Sequence, residues 1–399
     1  MLRTINIIFL IVSFTLYYSA PTNYNYDFCL SINIAFIIQN IVYFAISRRS
    51  LISFEFFFMF AFYFVNFVYP IAYFPTDPTY GVFELSFNYQ IICKATAIAY
   101  VAYSCYMFGL SFIRPTTDSE IKIDTSLITN AFYKTLAISF LILSISYIAS
   151  IGENFFKGYE WYTDKNNFSP FVSFINLFGS LLAMFVFFMQ KSFKKLQYLL
   201  ILSFFVAIYL LSGSRNMPLG ISIILLIAFN DIVRKIPPTI YISALVLGIF
   251  ILSFIGSVRL DGVVDTSNIQ LGLSKNSDSS FLKFADDLIC NNRNLYVLVN
   301  FADNNRLTYG MTMLSSVVGL IPYLGTFISD TFSIPGDFMY VAGFNTFLEF
   351  GFESEWGLGG NMVADIYISF GFIGVIVAFT LLGLFVSKVV RSYKMDIRY

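Results

Sequence analysis

Residues 364–387 read ADIYISFGFIGVIVAFTLLGLFVS, with Asp365 as the sole charge, and Lys388, Arg391, Lys394 and Arg398 follow at once. At about 1.5 Å per residue, a helix over this stretch crosses a hydrocarbon core of about 30 Å. The basic cluster behind it marks its far end as cytoplasmic, because Lys and Arg collect on that side of membrane helices. The rest of the chain has the same character: of 399 residues, 57% are hydrophobic, 20% aromatic and 12% charged. A soluble domain carries about 25% charged residues, because its surface must stay wet. Half that value leaves too little charge to coat a globule of this size, so lipid must cover the remainder.

The residue counts also exclude several chemistries. Net charge is zero, so no basic field points to nucleic acid. The chain has no histidine, which removes a His general base, a His metal ligand and a Ser-His-Asp triad. Its cysteines, Cys29, Cys93, Cys105 and Cys290, form no C-x-x-C pair, and Cys93 and Cys105 read as small buried hydrophobes. Neither a metal nor a cofactor is expected.

Apolar runs predict an all-α polytopic membrane protein of about ten (ten to twelve) transmembrane helices. The runs cover 4–20, 28–46, 51–69, 91–112, 132–151, 171–188, 198–211, 217–233, 239–255 and 364–387. The first resembles a signal peptide, but the spans that follow favour an uncleaved helix. With the N-terminus inside, the cytoplasmic side holds Arg3, Arg48, Arg49, Arg114, Lys122, Lys134, Lys191, Lys194, Lys195, Arg234 and Lys235 as well as the C-terminal cluster. The short outward segments hold only Lys94, Lys157, Lys165 and Arg215. Both termini are therefore expected in the cytoplasm.

This divides the chain into a transmembrane bundle at 1–255, a large outward loop at 256–363 containing short helices, and a last helix with a basic tail at 364–399. Within the loop, 311–329 is apolar enough to cross, but Gly319, Pro322 and Gly325 interrupt it. A single crossing there would put the basic tail outside, so a re-entrant or interfacial segment is the better reading. The polar stretch 266–280 reads as a surface turn. Glu55, Lys94 and Asp231 lie near span ends, where they are expected to reach water.

Arg215 lies in the outward turn Ser212-Gly-Ser-Arg-Asn216, beside the N-terminus of the following helix. A guanidinium next to free helix N–H groups suits a phosphate or pyrophosphate head group. The alternative is an interfacial arginine reaching toward lipid phosphates. Arg259 follows the ninth span at the same face, and two cationic forks would neutralise one diphosphate. Here the alternative is a loop-edge charge paired with Asp261.

Further along the loop, 281–300 reads as a helix with Phe281, Phe284, Leu288 and Ile289 on its apolar stripe. Asp286, Asp287 and Arg293 fall off that stripe, and such charges are most often a solvated face; Arg306 in the next turn shares that reading. The end of the loop is denser, with Asp337, Asn345, Glu349, Glu353, Glu355, Trp356 and Asn361 among aromatics and glycines. Rings stack on sugar faces, and carboxylates bind hydroxyls or take a proton from one, so this mixture suits carbohydrate. The alternative is a solvated acidic loop beside an aromatic belt.

The "SGSRN" turn, the large late outward loop and the Gly-Gly-Asn step into a last helix together resemble the O-antigen repeat-unit polymerases of the Wzy type. At residue level the likeness rests on 211–220 and 357–374. It implies polymerisation of undecaprenyl-pyrophosphate-linked oligosaccharide repeat units into O-antigen or a related surface polysaccharide, at the periplasmic face of the bacterial inner membrane. It also implies membrane lipids and a chain-length regulator protein as candidate partners. Family arginines on outward loops carry over to Arg215 and Arg259 as diphosphate ligands. Arg293, Arg306, Asp337, Asn345, Trp356 and Asn361 join them as candidate substrate-binding residues, with Glu349 and Glu353 as candidate catalytic carboxylates. Some members carry paired R-x10-G motifs, whereas no outward-loop arginine here has a glycine eleven residues later. The related ligases use a loop histidine, which is absent. The alternative is a lipid-linked oligosaccharide flippase, which is disfavoured by the long loop and the lack of two similar halves.

Overall fold

The computed structural model describes residues 2–47, 51–79, 81–112, 130–152, 171–188, 192–211, 216–237, 239–241, 243, 248, 286–318, 324–352, 354 and 357–396. Among them every regular element is helical. The helices are α1 (Leu2–Tyr18), α2 (Tyr26–Ser47), α3 (Phe54–Asn66), α4 (Ile92–Leu110), α5 (Asn130–Ile151), α6 (Phe171–Phe185), α7 (Ser192–Leu211), α8 (Asn216–Ala228), α9 (Asp286–Asn304), α10 (Leu314–Val318), α11 (Leu324–Phe332), α12 (Val341–Phe350) and α13 (Met362–Asp396). Short 3-10 and π turns separate several of them.

Four segments are long and apolar enough to cross a bilayer: Tyr26–Ser47, Tyr89–Leu110, Ala131–Ile151 and Met362–Val389. They coincide with the expected spans 28–46, 91–112, 132–151 and 364–387. Shorter apolar helices, Leu2–Tyr18, Phe54–Asn66, Phe174–Phe185, Lys195–Leu210 and Pro218–Ala228, stand where five more were expected. Two of these five are cut short by π turns, Tyr69–Tyr73 with Pro70 near its start and Phe229–Val233. The expected span 239–255 lies almost wholly outside the described residues. In the loop, α10 and α11 have 5 and 9 residues, and neither is long enough to cross.

Packing groups Met1–Ser50, Glu55–Ile121 and Ala285–Arg398 into one compact unit, and residues 122–284 with Leu51–Phe54 into another. In the second unit, Phe140, Leu182, Leu202, Phe205 and Ile221 from α5 to α8 make one apolar core. The first unit is built around α4, nearly all of whose side chains are buried. Small residues allow this: Ala95, Ala97, Ala99 and Ala102 let neighbouring helices approach. α4 meets α13 at Gly109 and Gly383, where a Cβ on either glycine would fall on the other helix's backbone, at the Thr380 and Tyr106 carbonyl oxygens respectively. Close small-residue crossings of this kind supply the packing that apolar side chains alone cannot supply in lipid.

Polar side chains add interhelical ties. Asn6 donates to the Met107 carbonyl at 2.9 Å, Asn33 to the Phe67 carbonyl at 3.3 Å, and Ser387 to the Leu110 carbonyl at 3.1 Å. Tyr103 donates to Asn40 Oδ1. Each such bond contributes about 0.6–1.7 kcal/mol within a membrane. Glu55, expected to reach water, is only 5% exposed, although Phe54 beside it is largely exposed. Lys94 does stay partly exposed. α13 bends at Gly371, whose φ of 67° belongs to the left-handed region that a side chain disfavours.

Gly109→Leu or Gly383→Leu is expected to force α4 and α13 apart and to cost about 1–3 kcal/mol or more. Thermal melting of the detergent-solubilised protein measures this. Gly220→Ala, where no described atom lies within 4 Å of the new Cβ, should hold or slightly raise the melting temperature, because alanine favours the helix.

Candidate functional site

The site begins on α9, in the run Asn291-Asn-Arg-Asn294. Asn292, Arg293 and Asn294 are consecutive polar side chains, yet all three are buried. Burying such groups is unfavourable unless each finds a partner, so their contacts report what the site is built to do.

Arg293 is 0% exposed, which corrects the solvated-face reading of its charge. Its burial is possible because α9 turns this face toward the segment between α3 and α4. Nε donates to the Leu85 carbonyl at 3.2 Å, and Nη2 donates to the Ser86 carbonyl at 3.3 Å. Nη2 also meets Glu349 Oε2 on α12 at 2.6 Å, with 21% of the Glu349 side chain exposed. Nη1 has no protein partner among the described residues, nor does either polar atom of Asn292. The guanidinium is thus gripped on two edges, with one NH2 left over.

Asn345 joins from α12. Its Nδ2 donates to Asn294 Oδ1 at 2.7 Å, and Asn294 Nδ2 donates to the Gly359 carbonyl, also at 2.7 Å. Asn345 Oδ1 remains without a partner among the described residues. The Leu358 N–H donates to Thr346 Oγ1 at 2.9 Å, which ties the glycine-rich strip to α12. Asn361 caps α13: its Oδ1 accepts from the Val363 and Ala364 N–H groups at 2.9 and 3.2 Å. Its Nδ2 donates to Asn66 Oδ1 at 3.0 Å, so both polar atoms are engaged by the protein.

Around this centre, polar pairs lock α9 and the 3-10 turn Met311–Met313 to their neighbours. Lys94 pairs with Asp303 at 2.7 Å, and Tyr367 donates to the other Asp303 oxygen at 2.8 Å. Asp365, the sole charge of the last span, accepts from Thr312 Oγ1 at 2.6 Å. Tyr296 on α9 stacks on Phe87, and Tyr69 stacks on Phe83, so the α3–α4 segment packs through its rings. Burial holds the Tyr296 hydroxyl well above its usual pKa, in its neutral form.

The structure therefore brings Arg293 and Glu349 into direct contact and sets Asn345 one asparagine away. Arg306 is exposed in the turn after α9. Asp337 lies on the 3-10 turn Gly336–Met339 and accepts from the Tyr340 hydroxyl at 3.2 Å. Burial, and secondarily the Asp337 charge, push Tyr340 up to about 12, so it keeps the proton it donates. Arg215, Arg259, Glu353, Glu355 and Trp356 lie outside the described residues. Sequence reading missed Asn66, Asn294, Thr312 and the carbonyls of Leu85 and Ser86. The asparagine run before Leu295 was the available signal for Asn294; backbone acceptors leave none.

The model of one protein family, described as O-antigen polysaccharide polymerase Wzy, matches residues 3–399. The chain belongs to that family. No curated protein matches it, and no solved structure does. Membership covers essentially the whole chain and implies a membrane protein of polysaccharide biosynthesis with a glycosyltransferase-type activity, O-antigen repeat-unit polymerisation on a lipid-linked oligosaccharide. A flippase reading of this Wzy-family chain is not favoured.

Glu349→Ala leaves the Arg293 charge buried and unpaired, which is expected to cost about 3 kcal/mol, the low end for a buried pair because Glu349 is part-exposed. The double variant Arg293→Met/Glu349→Leu should recover most of that stability, read as melting temperature. A Glu349→Ala protein as stable as wild type would show that the pair is not structural.

Proposed function

We propose that this chain polymerises undecaprenyl-pyrophosphate-linked repeat units at the periplasmic face of the inner membrane, with both termini cytoplasmic and about ten crossings. The observation that carries the site assignment is the fully buried Arg293, ion-paired to Glu349, with Nη1 and the neighbouring Asn292 amide unmatched by protein. Unsatisfied buried donors and acceptors cost about 1–3 kcal/mol each, and a hydroxylated ligand removes that cost.

Arg293 and Glu349 together are neutral, which suits sugar hydroxyls better than a dianionic diphosphate. Glu349, the part-exposed member of the cluster, meets the sugar directly. The buried Arg293 Nη1, Asn292 and Asn345 Oδ1 reach it only where binding opens the cluster, with Trp356, Arg306, Asp337 and Asn361 contributing to the same substrate or its frame. Arg215 and Arg259 stabilise the charge that develops on the departing diphosphate. In the transfer, a hydroxyl of the incoming repeat unit attacks the anomeric carbon of the growing chain. The bond from that carbon to the diphosphate oxygen breaks, and the electron pair leaves with the diphosphate. Glu349 Oε1 or Glu353 takes the hydroxyl proton. No metal is required, because the diphosphate is already a good leaving group. Phe327 and Phe332, exposed on α11, fit an interfacial placement of 311–329 that keeps the loop close to lipid. A chain-length regulator is the proposed protein partner.

In a strain lacking its polymerase, the wild-type gene should restore a ladder of long-chain lipopolysaccharide. Arg293→Ala, and Arg215→Ala or Arg259→Ala, should leave single-repeat lipopolysaccharide, a loss of at least ten-fold in long-chain product. Normal ladders from Arg215→Ala and Arg259→Ala would overturn the diphosphate assignment. Complete loss of surface glycan in the parent deletion would favour a flippase.

A further inference from the structure

Cys29 and Cys93 are 64 positions apart in sequence, on different helices, yet their sulfurs lie 3.9 Å apart. Both are fully buried. Cys29 is in the first turn of α2 and Cys93 in the first turn of α4. The segment ahead of α2 wraps onto this point: the Asn25 N–H donates to Cys93 Sγ at 3.2 Å, and Cys93 Sγ approaches the Asn23 carbonyl at 3.5 Å. Tyr24 anchors the same segment by donating to the Pro70 carbonyl at 2.7 Å.

The orientation proposed above puts the first turns of α2 and α4 at the outer face. Thiols in that compartment meet oxidising conditions, and paired cysteines there are normally joined. A disulfide needs sulfurs at about 2.05 Å, so the two must close by roughly 2 Å in all.

We infer that Cys29 and Cys93 form a disulfide in the mature protein, stapling α2 to α4 at the outer face; this rests on the proposed orientation. The thiolate of one cysteine attacks the disulfide of a periplasmic thiol–disulfide oxidoreductase and gives a mixed disulfide. The thiolate of the other cysteine displaces it, forming the Cys29–Cys93 bond. The two electrons and two protons end on the oxidoreductase as its dithiol. Burial requires the bond to form while the helices assemble, and it then shields the bond from reductant.

The full-length protein is tested by acid-quenching cells, denaturing, alkylating with a mass-shifting maleimide and counting modified thiols. Two of the four cysteines should react without prior reduction and all four after it. Cys29→Ala and Cys93→Ala should each leave three reactive thiols without reduction. Orientation is checked separately by Thr22→Cys in a version whose four native cysteines are alanine, labelled in intact cells with a membrane-impermeant maleimide. Labelled Thr22→Cys with four reactive wild-type thiols overturns the disulfide and leaves the orientation standing. A protected pair that survives Cys29→Ala overturns the pairing. Failure of Thr22→Cys to label when it labels in lysed cells overturns the orientation, and the inference with it.

Discussion

In a bilayer every helix is already apolar on its outside, so burying apolar surface cannot choose which helices meet. Close approach and internal hydrogen bonds have to make that choice. Here it falls on α4 and α13, which touch backbone to backbone at Gly109 and Gly383 although the glycines are far apart in the chain. From the crossing α13 runs back, through the bend at Gly371, to Tyr367, Asp365 and Asn361. Those residues then hold Asn66, Thr312 and Asp303. The loop helix α9, which carries the buried arginine, packs on α13.

Arg293 shows how such a frame turns an unfavourable group into a specific one. Two backbone carbonyls and one carboxylate grip it, so its charge is balanced and its orientation is set before any ligand arrives. Preorganisation of this sort fixes the Glu349 carboxylate that the proposed site would present to substrate, without the entropy loss that a free side chain would suffer. The same grip gives Glu349 a structural duty alongside its proposed chemical one. A loss of activity on its replacement therefore has meaning only next to a measurement of folding.

Part of this was legible in the residues. The apolar runs at 28–46, 91–112, 132–151 and 364–387 became helices of membrane-crossing length. The acidic end of the loop did contribute Glu349 and Asn345 to one cluster with Arg293. Burial overturns the solvated-face alternative for Arg293, which its place off the apolar stripe suggests, and the water access expected of Glu55 from its place near a span end. In both cases helix position reports only which side a residue is on, and for Arg293 that side is covered by a segment distant in sequence. The segment between α3 and α4 contributes two carbonyls and a few rings, which no residue type marks as part of a site.

The sequence by itself determined that this is a helical membrane protein, and its basic residues predict which side each end faces. Transfer of a side chain between water and lipid depends on that residue and its near neighbours, so it can be read along the chain. Only the tertiary structure decided that α4 and α13 meet at glycines, that Arg293 is buried against Leu85, Ser86 and Glu349, and that Cys29 lies beside Cys93. Those contacts depend on shape and on backbone atoms brought together from distant segments, and no single residue type announces them.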